Sequence, residues 1–226
     1  MSGAQVRTAR RAKGLNQKAL AVKLGVSQGY VSLLERERRP VHRRLAGKVA
    51  TALEMPATAL PVTDPKPFEP EHATRSLGAL GYEGFGYLRH GRRSNPTAVL
   101  LGTLRAENVD GRVVAALPWL LVEYPDLNWE WLVPRVKQAD LQNRLGFVVS
   151  LARELAGLRG QSEAAAVLSK WESALERSRL QENDTFARGT LTDSERRWLR
   201  DHSSPQGKRW NVLSTLSADA LAHMSE

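Results

Sequence analysis

The sequence predicts an all-α protein with two parts, a small N-terminal domain of five helices and a larger helical body. Apolar residues recur at helical spacing along most of the chain, and no convincing pair of strands is visible. Charge is also unevenly distributed. The chain carries 33 Lys and Arg against 24 Asp and Glu, a net charge of +9, and residues 1–60 hold 12 of the basic and 3 of the acidic residues. The remaining 21 basic and 21 acidic residues balance, which predicts a polyanion-binding N-terminal domain joined to a neutral body with another task.

Composition narrows the classes of function. The absence of cysteine excludes disulfides and cysteine-based zinc sites, and the five histidines are scattered without a metal-ligand spacing. We therefore expect no metal and no cofactor. No apolar run approaches the roughly 20 residues that span a bilayer, and the N-terminus has no apolar core typical of a signal peptide. These features predict a cytoplasmic protein with no membrane partner.

The N-terminal domain is predicted over residues 1–60. Helix-capping residues separate its helices: Gly14 follows the first, Asn16 caps the second, Gly25 forms a turn and Ser27 caps the third. The predicted helices cover residues 4–13, 17–24, 28–36, 42–46 and 47–53. The pair formed by the second and third helices, with its tight turn, is typical of a unit that places one helix in a DNA major groove.

The stretch ARRAKGLNQKALAVKLGVSQGYVSLLERERRP resembles the helix-turn-helix domain of the phage-repressor (Cro/Xre) family, and the resemblance extends over residues 3–60. It implies that the third helix lies in the major groove and that the second crosses the phosphate backbone. The expected function is sequence-specific DNA binding as a transcriptional repressor. Since one such domain reads only a few base pairs, the resemblance also implies a homodimer on a double-stranded operator with paired half-sites.

Individual roles follow from the same resemblance. Gln17, at the start of the second helix, is a predicted phosphate contact. Gln28 opens the third helix, and its amide can pair with adenine N6 and N7. Gly29 stands where longer polar residues are common, so it removes a reading side chain or permits close approach. The other predicted DNA contacts are polar or basic: Ser27, Tyr30, Ser32, Arg36, Arg38, Arg39 and Arg43. The four arginines are expected to grip phosphates. Arg10 and Glu35 are expected to pair structurally.

Residues 61–95 are predicted to be a Pro/Gly-rich linker and docking segment. Four prolines, at positions 61, 65, 67 and 70, favour an extended, semi-stiff chain. The glycine-rich stretch that follows has two interpretations. It is a turn-rich loop docked on the next domain, or a partner-binding segment with aromatic anchors beside Arg89, Arg92 and Arg93. The predicted anchors are Tyr82, Phe85 and Tyr87.

Residues 96–226 are predicted to form an all-helical partner-binding or dimerisation domain of six or seven helices. Capping signals mark several starts, including Asp140 and the Thr192–Glu195 capping box. All six tryptophans lie here, and most are expected in the core. Trp119, Trp129 and Trp131 are the candidate partner anchors. Because the sequence shows no recognisable catalytic motif, the protein is predicted not to be an enzyme. A catalytic site formed only by the folded chain is the alternative.

The apolar stretch ALPWLLVEYPDLNWEWL, with LQNRLGFVV after it, resembles helix-turn-helix proteins encoded beside nucleotidyltransferase-type toxins of the abortive-infection kind. This resemblance implies an antitoxin that binds a protein toxin and represses their shared operon. The alternative is a stand-alone, ligand-responsive repressor without a toxin partner.

Overall fold

The structure is a computed structural model that describes residues 1–65, 69–186 and 191–223. Within these ranges the secondary structure is helical, and the extended pairing found there is a parallel bridge between Asp184 and Val212. The all-α prediction is confirmed. The chain divides into two compact units: Met1–Thr63 with Arg93–Asn95, and Asp64–Arg92 with Pro96–Glu226. The chain therefore passes from the first unit to the second, returns for three residues, and leaves again.

The first unit contains four α-helices and a short 3-10 helix, Ala57–Ala59. The α-helices are α1 (Gly3–Ala12), α2 (Gln17–Leu24), α3 (Gln28–Glu35) and α4 (Arg43–Ala52). The two short helices predicted over residues 42–53 are one helix, so that prediction was wrong. Gly47 does not interrupt α4, because Ala46 and Val49 on either side of it are buried and hold the turn in place.

Helix caps and the burial of apolar side chains together stabilise the fold of this unit. The Ser2 side chain accepts a hydrogen bond from Gln5 N and caps α1. The core is apolar at helical spacing and draws on every α-helix: Val6 from α1, Leu20, Ala21 and Leu24 from α2, Val31 from α3, and Val49 from α4, with Leu53 and Met55 after it. Each helix is too short to be stable alone, so packing of these side chains supplies most of its stability.

The second unit contains nine α-helices among its described residues. They are α5 (Pro70–Leu80), α6 (Pro96–Leu104), α7 (Gly111–Glu123), α8 (Trp129–Gln138), α9 (Gln142–Leu158), α10 (Ser162–Glu176), α11 (Asp193–His202), α12 (Pro205–Trp210) and α13 (Ala218–His223). A 3-10 helix spans Glu83–Leu88. The buried helix α9 lies at the centre and packs against α7, α10, α12 and α13.

Part of the segment predicted as a linker is helical. Pro61 and Pro65 lie outside regular structure, whereas Pro67 falls outside the described residues. Pro70 opens α5, so the prediction of non-helical chain was wrong there, because proline is tolerated in the first turn, where its missing N–H has no helical partner. Asp64 belongs to the second unit, where its Oδ1 lies 3.8 Å from Arg105 Nη1 and 3.7 Å from Arg135 Nε.

Two other predictions in the body differ from the structure. Asp140 does not cap α9; it has a positive φ of 53°, and α9 begins after Leu141. Residues 96–223 hold eight α-helices in the described ranges, α6 to α13, rather than six or seven, because Asn211 ends α12 in a left-handed conformation and α13 forms separately. The capping box of Thr192 with Glu195 is confirmed at the start of α11.

Candidate nucleic-acid interface

Three capping residues determine where α2 begins and ends and where α3 begins. Asn16 Oδ1 accepts a hydrogen bond from Ala19 N at 2.8 Å, which starts α2. Gly25 ends that helix with φ of 68°, a left-handed conformation that costs glycine least. Ser27 Oγ then accepts from Tyr30 N at 3.1 Å and starts α3. These contacts confirm the predicted caps and determine where α3 begins.

A buried ion pair joins α1 to α3. Arg10 Nε lies 2.5 Å from Glu35 Oε1, and Arg10 Nη2 lies 3.0 Å from Glu35 Oε2. The predicted pairing is confirmed. Burial alone would raise the pKa of the Glu35 carboxyl, but hydrogen bonds from Arg10 and Gln17 outweigh it and leave that pKa below its usual value. The carboxylate thus stays charged and holds its partners in place.

Gln17 takes part in this network. Its Nε2 donates to Glu35 Oε2 at 2.9 Å, so its amide is partly engaged inside the unit. The side chain is half-buried rather than fully exposed. Its predicted contact with phosphate stays a prediction. The backbone N–H groups at the start of α2, which have no partner within the helix, are further possible donors to a phosphate. Lys18 in the same first turn is exposed and was not among the predicted contacts.

The outer face of α3 presents the predicted reading residues. Ser27, Gln28 and Gly29 are exposed, while Tyr30 and Ser32 are half-buried along its edges. Val31 and Leu34 are buried beneath. A Cβ built on Gly29 would meet only Ser27 Oγ at 4.0 Å, so neither space nor backbone conformation requires glycine there. Gln28 is consequently the longest polar side chain that α3 presents at its start.

The chain after α3 adds exposed positive charge. Backbone N–H groups of Arg38 and Arg39 both donate to Leu33 O, at 2.9 and 3.2 Å, and this fixes the turn. The Arg39 guanidinium lies 5.4 Å from the centre of the Tyr30 ring, a cation–π contact that the sequence did not reveal. Arg36, Arg38, Arg39 and Arg43 are all exposed.

The N-termini of the first unit share an electrostatic property. None of α1, α2, α3 and α4 has an acidic residue in its first turn. A helix N-terminus carries partial positive charge, which acidic residues usually complement. At α1 the Glu37 carboxylate complements that charge, because its Oε1 accepts from Ala4 N at 3.3 Å. At α2, α3 and α4 no first-turn carboxylate does so, as suits a surface that binds phosphates.

The predicted partner anchors separate into buried and exposed residues. Phe85 and Trp129 are 3% and 4% exposed, so they belong to the core of the second unit and are not surface anchors in this conformation. Trp119, Trp131 and Tyr82 are half-buried. Tyr82 lies against Trp119, with ring centroids 5.2 Å apart, and burial raises the pKa of its hydroxyl.

Of the remaining predicted anchors, Tyr87 is 77% exposed and Arg89 is exposed. Trp131 stacks with Arg135, whose guanidinium lies 4.0 Å from the ring centre. Other exposed apolar side chains were not predicted: Val22 on α2 and Trp198 on α11. In the part of the chain that the structure describes, no group of three or more His, Asp or Glu is arranged to hold a metal ion. No described helix combines the length and the apolar character needed to cross a membrane.

Comparison with known proteins defines the class. Residues 6–60 match the family model described as helix-turn-helix, and this match confirms the Cro/Xre-type resemblance for the first unit. The class is that of DNA-binding transcriptional regulators. No curated protein and no solved structure gave a significant match to the chain.

Proposed function

We propose that the protein is a sequence-specific repressor that inserts α3 into the major groove of its operator. The observation that carries this proposal is the exposed polar edge of α3. The buried Arg10–Glu35 pair holds this helix in place, and Ser27 caps its N-terminus. In a helix-turn-helix of this kind, the first residues of the recognition helix contact base edges. Gln28 occupies that position and carries the main base-reading role.

Charge supports the same orientation. The whole net charge of +9 lies within residues 1–60, where 12 basic residues face 3 acidic ones. All three acids have partners: Glu35 pairs with Arg10, Glu54 pairs with Lys13, and Glu37 accepts from Ala4 N. The exposed arginines after α3 therefore act on phosphates and supply affinity without sequence preference. Association with duplex DNA is expected to weaken steeply as salt rises.

Selection from a random duplex library with the full chain identifies the operator, and titration of Gln28→Ala then tests the reading role. A lost amide–adenine pair costs about 1–3 kcal/mol, which is roughly a 5- to 150-fold loss of preference for the operator over random DNA. Gln138→Ala, an exposed glutamine at the end of α8, is the control and should leave the preference unchanged. Equal weakening of Gln28→Ala on operator and random DNA would remove the base-reading role.

The proposed assembly on DNA is a homodimer. Two such domains would read half-sites about 34 Å apart, one helical turn of DNA. Sedimentation of the protein with its selected operator should give two chains per duplex. A single chain bound with full specificity would contradict the dimer.

A finer proposal is that the second unit binds a protein toxin and that the pair regulates its own operon. The support is the resemblance of residues 116–132 to proteins encoded beside such toxins, together with the overall balance of basic and acidic residues in residues 61–226. Leu117, Leu120 and Leu121 in that stretch are fully buried, so a toxin would meet other, exposed residues of this unit. The body is proposed as a binding module, not an enzyme.

Co-expression with the neighbouring gene tests the toxin partner. Co-purification, with toxicity of the neighbour when expressed alone, is the expected result. A clean homodimer beside a harmless neighbour would favour the stand-alone repressor, whose operator affinity should then change when a small inducer from a host extract is added.

A further inference from the structure

A basic segment lies on the second unit directly after the 3-10 helix Glu83–Leu88. We define the basic segment as residues 87–92, which contain Tyr87, Arg89, His90 and Arg92 and no acidic residue. Tyr87 is 77% exposed, and the three basic side chains are exposed as well. An exposed aromatic ring among basic side chains is a surface that suits a polyanion.

The backbone of this segment is held against the body of its unit. Phe85 is buried, and its ring packs on Tyr82 at 5.4 Å between centroids. A Cβ on Gly78 of α5 would lie 2.5 Å from Phe85 O, so only glycine there permits this close approach. Gly91 also packs tightly on α5, since a Cβ built on it would lie 3.3 Å from the Cβ of Ala79. The exposed side chains thus stand on ordered backbone, which lowers the entropy lost on binding.

The basic segment is connected directly along the chain to residues of the helix-turn-helix unit. Three residues beyond Arg92, Asn95 belongs to the first unit, where its Nδ2 donates to Thr58 O at 3.1 Å and to Leu60 O at 2.6 Å. Arg92 is therefore joined, through three peptide units that span at most about 11 Å, to a residue that is hydrogen-bonded inside the first unit.

We propose that the basic segment is a second DNA contact, which binds phosphates without reading sequence. The inference rests on the proposed DNA binding of the first unit and adds a role for the second. Arg89 and Arg92 would pair with phosphate oxygens, and the Tyr87 hydroxyl would donate to one. The segment would thus raise affinity for operator and random DNA alike and make binding more sensitive to salt.

The salt dependence of binding to a labelled random-sequence duplex, measured by fluorescence anisotropy with the full chain, tests this contact. Each lost phosphate contact flattens the slope of log affinity against log salt by about 0.9, so R89Q/R92Q should flatten it by about 1.8. R89K/R92K, which keeps both charges, should retain the slope. R159Q/R177Q removes two exposed charges after α9 and α10 and is the control for net charge.

The outcomes are distinct. Flattening in R89Q/R92Q alone supports the contact. An unchanged slope in R89Q/R92Q overturns it, and is the result expected if the segment binds an acidic protein instead. Equal flattening in R159Q/R177Q or in R89K/R92K also overturns it, because net charge or arginine packing would then explain the effect. If the unaltered chain fails to bind duplex DNA, the proposed function itself fails, and that result appears before any variant is compared.

Discussion

Arg10 and Glu35 form a two-point ion pair inside the helix-turn-helix unit, with Nε–Oε1 and Nη2–Oε2 distances of 2.5 and 3.0 Å. Arg10 Nη1 also donates to Leu15 O at 2.5 Å, so one guanidinium binds both the end of α3 and the chain that leads into α2. The pair therefore ties α3 to the rest of its unit. Its side chains are only 9% and 1% exposed.

Glu35→Gln is expected to destabilise the protein because it leaves the Arg10 charge buried without its counter-ion. Removing one partner of a buried pair typically costs about 3–5 kcal/mol of the free energy of unfolding. Urea unfolding followed by circular dichroism measures the change. Glu54→Gln removes the exposed partner of Lys13 and should leave stability almost unchanged, since water screens that pair. Similar losses in both variants would contradict a special role for the buried pair.

Acid should weaken the first unit through Glu35. Its pKa in the folded chain lies below the ordinary value of 4.5, because hydrogen bonds from Arg10 and Gln17 outweigh the opposing effect of burial. A lowered folded pKa stabilises the fold above the unfolded pKa, and that stabilisation is lost as pH falls from about 4.5 through the lower folded value. Stability measured from pH 7 downward should fall less steeply in Glu35→Gln than in the unaltered protein. Parallel profiles would refute this assignment.

Substitution by alanine is expected to change stability in opposite directions at Gly29 and at Gly25. Gly29→Ala places a methyl group in open space within α3 and should stabilise the protein by roughly 0.5 kcal/mol, since alanine loses less backbone entropy. Gly25→Ala forces a Cβ onto a residue with φ of 68° and should cost about 1–2 kcal/mol. Thermal unfolding of the two variants checks the contrast. A large loss of stability in Gly29→Ala would show that glycine is needed for packing rather than tolerated.

Gly146 in α9 faces the ring of Trp210, and the built Cβ would lie 2.2 Å from two of its carbons. Trp210 is fully buried, so Gly146→Ala must push it or the backbone and should cost about 1–3 kcal/mol. Gly157→Ala lies on the same helix with nothing within 4 Å of its added Cβ. That control should be neutral or slightly stabilising in the same melting experiment. Equal melting temperatures for the two variants would mean that α12 moves away without cost.

Local chemistry explains why much of the first unit could be predicted. The capping contacts of Asn16, Gly25 and Ser27 join residues only three or four positions apart, so the sequence is enough to predict them. The apolar spacing of Leu20, Val31 and their neighbours likewise predicts which faces are buried. The partners of Gln17 and Arg39 were not legible, because each contact joins residues that only the packed helices bring together.

The second unit shows the opposite balance. Its helical character was predictable, but α5 was interpreted as linker because Pro70 and the later glycines outweighed a short apolar pattern. The buried state of Phe85 and Trp129 was not predictable either, since an aromatic side chain suits a core and an interface equally well. Asn211 and Asp184 meet across a sequence separation that no local pattern encodes.

The sequence by itself determined the class of this protein, because the caps, glycines and apolar spacing of residues 6–60 are local features that suffice to specify a helix-turn-helix. Only the tertiary structure decided how α3 is held, through Glu35 bound by Arg10 and Gln17. It alone also decided which aromatic residues of the body remain on the surface. The physical reason is the same in both cases: burial and long-range pairing depend on which faces meet, and composition and spacing do not specify that.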